Sequence, residues 1–171
     1  MSNRDLVLQA LRDFGVAYAL AEHAPVSTMK DCAVCEALLG AVMPRNIFLC
    51  TANRKSFALL LCRPEACFRT SSVSKQANLS RLSFAPEEEI RAKLGAYPGA
   101  VSPLGLIFDV RHEVKLLMDK TLFKEENLLF HPLDNACSVR VSTQQFTGEF
   151  LKRLGYTVTP VDMERIDEKR G

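Results

Sequence analysis

Two stretches, "IFLC" (residues 47–50) and "FALLLC" (residues 57–62), contain no polar residue. A half-buried strand alternates apolar and polar side chains, so a run without alternation leaves no face for water and reads as a strand buried in a core. The two are joined by "TANRK", a polar turn over residues 51–55. A chain built around such a pair needs other elements to cover it. With 171 residues it has the length of one domain and can bury roughly 70% of the surface its unfolded form exposes.

The covering elements are legible on either side. Leu6, Val7, Ala10, Leu11 and Phe14 share one face of a helix over residues 3–14, with Gly15 as its stop. A strand follows over residues 16–22. "STMKDCAVCEALLG" (residues 27–40) reads as a second helix capped by Ser27 or Thr28, and "SSVSKQANLS" as a short third. "PEEEIRAKLG" (residues 86–95) is the clearest helix: proline opens it, three glutamates fill its first turn and glycine closes it. Next comes a long shaped loop dense in glycine and proline, "AYPGAVSPLGLIFD", then strands over residues 113–119 and 128–130. Cys137, Val139 and Val141 alternate with Ser138, Arg140 and Ser142, the pattern of a strand with one buried face. Ser142 and Gln145 form a candidate capping box for a helix ending at Gly155. "YTVTPVDM" makes a last strand. The expected organisation is one domain over residues 1–163 with a frayed charged tail over residues 164–171. Strands and helices mix without a strict βαβ rhythm, so the expected class is α+β, a mixed, largely antiparallel sheet flanked by helices.

Composition excludes several functions. There is no run of about 18 apolar residues and no uninterrupted apolar leader, so a cytoplasmic protein with no membrane partner is expected. A net charge of +2 does not announce a nucleic-acid binder, although a local basic patch is invisible in a total. Cys32 and Cys35 form a lone C-x-x-C with no second pair of ligands, and read as helix packing residues rather than a metal site. His112 sits in a turn and is expected to be solvated. His23 and His131 each end an apolar run, where a hydrogen-bonded structural histidine is the commoner outcome. No Ser-His-Asp order, P-loop or dinucleotide fingerprint is present. The glycine- and proline-rich loop is either a rigid connection or a ligand site, since glycine lets backbone approach a ligand and proline fixes the shape.

"EHAPVSTMKDC", "RNIFLC", "LSFAPEEEIRAKLGAYPGAVSPLGLIFD", "VKLLMDK" and "FHPLDNACSVRVSTQQFTGEFLKRLGY" together resemble the YbaK/prolyl-tRNA synthetase-associated family, nearly end to end. Within it the chain is most similar to the free-standing prolyl-tRNA deacylase-like branch, which includes alanyl-tRNA(Pro) deacylases. The resemblance implies trans-editing: hydrolysis of the ester joining a wrong, small amino acid to the terminal adenosine of tRNA(Pro), with no metal, no cofactor and no covalent side-chain nucleophile. The implied partners are the acceptor end of aminoacyl-tRNA and, as a candidate, prolyl-tRNA synthetase; neither DNA nor membrane is expected.

The residues this resemblance puts forward as catalytic are Arg45, Asn46 and Gly99, the last through its backbone N–H. Gly95, Pro98, Ser102 and His131 are put forward as substrate-binding. Asn46 matches the family's asparagine at the strand mouth. Arg45 stands where the family has lysine, and a planar fork is not interchangeable with a compact ammonium. The alternative function is therefore a catalytically weak homologue that binds tRNA or a synthetase without editing.

Overall fold

The computed structural model describes residues 1–165. The two apolar runs become β2 (Arg45–Thr51) and β3 (Phe57–Cys62), paired antiparallel with Arg45 opposite Cys62 and Cys50 opposite Phe57. They lie inside a five-stranded sheet of order β5-β2-β3-β6-β9, with β5 spanning Leu82–Phe84, β6 Val114–Asp119 and β9 Val158–Val161. β5 joins β2 antiparallel, whereas β3, β6 and β9 run parallel. A second sheet, β1-β8-β7, is wholly antiparallel: β1 covers Tyr18–Glu22, β7 Asn127–Phe130 and β8 Cys137–Ser142.

The reason β2 and β3 lack alternation is visible in their packing. Phe48, Cys50, Phe57, Leu59 and Leu61 face the main core, which includes Val7 and Leu11 of α1 (Asn3–Asp13), Ile90 and Leu94 of α4 (Glu87–Leu94), and the second sheet. Ile47, Leu49, Ala58, Leu60 and Cys62 face the opposite way, onto Val73 and Ala77 of α3 (Thr70–Ala77). Each of these leucines contributes about 1.5–3 kcal/mol by leaving water, on both faces of one strand. A third small cluster, Val26, Cys35, Met43 and Leu129, sits beneath α2 (Met29–Leu39).

Helix ends follow the expected chemistry. Thr28, not Ser27, caps α2, and Asp31 answers in a reciprocal capping box; Gly40 ends the helix in the left-handed region. Pro86 precedes α4 and Gly95, at φ 62°, closes it.

Several elements differ from the sequence expectation. The glycine-proline loop is not irregular: it winds into 3-10 turns over Pro98–Ala100 and Pro103–Phe108. The helix after Ser142 is α5 (Thr143–Gln145), a π segment (Phe146–Phe150) and α6 (Leu151–Leu154) in succession. Ser142 accepts from the Gln145 N–H, but the Gln145 side chain turns away to accept from the Ala17 N–H, so there is no reciprocal box. Ser138 is fully buried rather than outward-facing. His112 is exposed as expected, yet its ring stacks on Tyr156 at 4.6 Å. Of the charged end, Glu164–Arg165 form β10, paired with the two-residue β4 (Ala66–Cys67); the remainder of the expected tail lies outside the described residues.

Candidate active site

A cleft of about 490 Å³ opens where the N-terminal end of β2 meets the entry to α2 and the first 3-10 turn of the glycine-proline loop. Arg45 and Asn46 come from β2, Pro98 and Gly99 from the turn, and His131 from the end of β7. These are five of the seven residues singled out by sequence, drawn from three separated segments. Val26, Met43, Ile47 and Val101 supply apolar walls, with Ser27, Thr28 and Cys32 at the α2 side.

Gly95 and Ser102 are not in this cleft. Gly95 ends α4, and its carbonyl accepts from Asn3 Nδ2 at 2.7 Å. Ser102 is fully buried, where it caps the second 3-10 turn by accepting from the Leu104 N–H. Gly95 closes one helix and Ser102 opens the next 3-10 turn, so both serve the frame on either side of the segment that lines the cleft.

Gly95 instead borders a larger hollow of about 710 Å³ between α1 and α4. That hollow is the poorer site. Its arginines already have carboxylate partners: Arg4 with Glu22 at 2.6 Å and Asp134 at 3.2 Å, Arg91 with Glu87 at 2.5 Å.

The cleft's polar groups are less satisfied. Arg45 is half-buried, and its Nη1 makes one long hydrogen bond, 3.4 Å, to the Ala66 carbonyl. Among the described residues no carboxylate lies within ion-pair distance of it, and none lines the cleft. Asn46 donates from Nδ2 to the Pro44 carbonyl at 3.2 Å, while its Oδ1 is buried without a hydrogen-bond partner among the described residues. An orphaned acceptor of this kind costs about 1–3 kcal/mol and calls for a physical reason. His131 Nδ1 donates to the Cys137 carbonyl at 2.8 Å. Burial chiefly, with repulsion from His23, pulls its pKa below the usual histidine value against the opposing hydrogen bond to Cys137, so the ring is neutral at pH 7.

Burial likewise raises the Cys32 and Cys35 thiols, the direction of packing cysteines rather than reactive ones. Among the described residues no three metal-binding side chains come together.

Sequence reasoning missed the residue that ties the cleft's walls together. Asn135 Oδ1 accepts from the Tyr97 hydroxyl at 2.9 Å, and its Nδ2 donates to the Val26 carbonyl at 3.0 Å. Its backbone N–H also donates to the Tyr97 hydroxyl, and the Val26 N–H donates to its carbonyl. One side chain thus joins the loop of Pro98 and Gly99, the approach to α2, and the segment after His131. The only available signal was the asparagine of "FHPLDN", a turn residue by local chemistry. Asn135→Ala strips two of these bonds and strands their partners, a cost of about 1–3 kcal/mol. At about 2–4 °C per kcal/mol for a domain of this size, thermal melting shows a loss of several degrees; an unchanged Tm contradicts this role.

The model of the aminoacyl-tRNA editing domain family matches residues 23–148, so the span from His23 through the cleft to the π segment is that domain, and the chain belongs to the family. The prolyl-tRNA editing protein ProX of Acetoanaerobium sticklandii is 26% identical over 163 residues, covering 95% of this chain and 99% of that one. Prolyl-tRNA synthetase associated domain-containing protein 1 of Xenopus laevis is 28% identical over 157 residues, covering 90% and 92%. A solved structure provisionally assigned as a trans-editing enzyme for prolyl tRNA synthetase superposes with a TM-score of 0.73 at 16% identity, covering 96% of this chain and 98% of that one. The last shows a shared α+β fold. Among the described residues no helix is long and apolar enough to cross a membrane.

Proposed function

We propose that this protein is a trans-acting aminoacyl-tRNA deacylase that hydrolyses the ester of mischarged tRNA(Pro), with alanyl-tRNA(Pro) as the preferred substrate. The observation that carries this reading is the convergence of Arg45, Asn46, Gly99 and His131 on one cleft in a chain of the editing family. The names of its relatives point the same way.

The chemistry of the cleft suits the substrate. Arg45, a cation without a carboxylate partner among the described residues, is a bidentate donor for a phosphate near the terminal adenosine. The orphaned Oδ1 of Asn46 accepts from the α-ammonium group of the aminoacyl moiety, which would relieve its burial cost. The Gly99 N–H is the donor to the ester carbonyl as negative charge develops there, and water is the nucleophile. Val26, Met43, Ile47 and Val101 bound the space for the amino-acid side chain. A wall fitted to a methyl group meets proline's ring as overpacking of about 1–3 kcal/mol, or roughly five- to 150-fold in rate. No cofactor is needed for this hydrolysis, and the lone histidine and cysteine of the cleft fall short of a metal's ligand set. The synthetase that produces the mischarged tRNA is the natural partner for product capture.

A deacylation assay on tRNAs mischarged with amino acids of increasing size tests this. Alanine is released fastest, with rates falling as the side chain grows. The second reading, a homologue that binds tRNA without editing, is favoured by arginine at position 45; binding with no release from any member of the panel would establish it.

A further inference from the structure

Beneath the cleft lies a polar cluster that the proposed mechanism does not use. Ser138, fully buried on β8, points inward against the strand's expected alternation. Its Oγ is 2.8 Å from His23 Nε2 and 3.5 Å from His131 Nδ1. The two imidazole centroids are 6.1 Å apart. β1 and β8 pair with Ala21 opposite Ser138, which brings His23, just past β1, over the serine.

The proton positions follow from which groups can only accept. The Ala24 carbonyl lies 2.8 Å from His23 Nδ1 and can only accept, so Nδ1 carries a proton and, in the neutral ring, Nε2 is the acceptor. Ser138 must then donate its hydroxyl proton to His23 Nε2, which turns an oxygen lone pair toward the neighbouring ring. The Cys137 carbonyl at 2.8 Å fixes the proton on His131 Nδ1 in the same way. With the Ser138 proton committed to His23, its oxygen can only reinforce that tautomer as a second, longer acceptor. His131 Nε2 has no hydrogen-bond partner among the described residues and belongs to a side chain that lines the cleft.

We propose that His23 and Ser138 are positioning residues that reinforce the Nδ1–H tautomer set at His131 by the Cys137 carbonyl, so that Nε2 faces the cleft as a proton acceptor for the attacking water. The inference rests on the deacylase reading for its chemical step. Water's O–H proton passes to His131 Nε2 as its oxygen bonds to the ester carbon. When the bond from that carbon to the ribose oxygen breaks, the proton goes to the ribose oxygen, leaving a free amino acid, a ribose hydroxyl and the neutral ring. Nothing else is consumed. A side chain that fixes a ring without touching substrate should act on turnover rather than on substrate affinity.

Long-range proton–nitrogen spectra of protein labelled with ¹⁵N-histidine read the tautomer without substrate. Wild-type His131 is expected to carry its proton on Nδ1 at pH 7. In Ser138→Ala the Nδ1–H keeps only the Cys137 carbonyl as acceptor, so the share of the Nε2–H tautomer rises and kcat for mischarged tRNA falls roughly two- to twelvefold, the loss of one neutral hydrogen bond, with KM unchanged. Ser138→Thr, which keeps the hydroxyl, restores both. His23→Asn, at a half-buried position, gives the same pair of changes and serves if Ser138→Ala does not fold. A wild-type proton on Nε2, or an unaltered tautomer and kcat in the variants, overturns the proposal. Failure of the wild type to release any amino acid would refute the deacylase reading instead, while the spectra still decide the positioning role.

Discussion

Arg45→Ala lowers turnover of mischarged tRNA by roughly ten- to a hundredfold. That corresponds to about 1.4–2.7 kcal/mol, the range of a charge-assisted hydrogen bond at a site. Among the described residues the guanidinium holds only the 3.4 Å bond to the Ala66 carbonyl, so its removal strips little internal structure and Tm should move by no more than a degree or two. Arg45→Lys separates charge from shape. A gain in rate would mean that arginine impairs a site built for a compact ammonium; a loss would mean that the cleft has adapted to the planar fork. Steady-state kinetics on both variants decides between them, and no change in either would leave Arg45 a solvated strand-end residue.

The second large effect falls on stability. Gly105→Ala places a Cβ 2.4 Å from the Leu94 carbonyl oxygen and 3.0 Å from the Leu94 Cβ. The first atom is backbone at the end of α4, so it cannot swing aside as a flexible side-chain tip would. Overpacking of this kind costs about 1–3 kcal/mol and occasionally more, a fall in Tm of roughly 2–12 °C at this chain length. The strain would also push on the 3-10 turns that carry Pro98 and Gly99 into the cleft. Thermal melting checks it: a Tm within a degree of wild type would show that the loop does not press on α4 as described.

The parts of the molecule that sequence made legible are those specified locally. The unbroken apolar runs of β2 and β3 could belong only to strands covered on both sides, and α4 carries its own start and stop. Arg45 and Asn46 were conspicuous because polar groups at the mouth of such a strand need something to face. What was hidden depends on pairing between distant segments. Ser138 reads as an outward residue by alternation, and only the approach of His23, 115 residues away, makes its burial affordable. Asn135 reads as a turn residue until Tyr97 and Val26 arrive at its two ends. Gly95 and Ser102, put forward by the family resemblance, do not line the cleft: Gly95 closes α4 and Ser102 caps the second 3-10 turn, roles that depend on where the loop's helical turns begin and end. β4 and β10, two residues each, are too short to leave a periodic signal.

The most direct measurement compares release of amino acid from alanyl-tRNA(Pro) and prolyl-tRNA(Pro), each incubated with a catalytic amount of the purified protein. Multiple turnovers on the alanyl ester, with the prolyl ester spared by roughly five- to 150-fold, is the predicted result. Release from neither, or from both at the same rate, would contradict an editing cleft that selects its substrate by size.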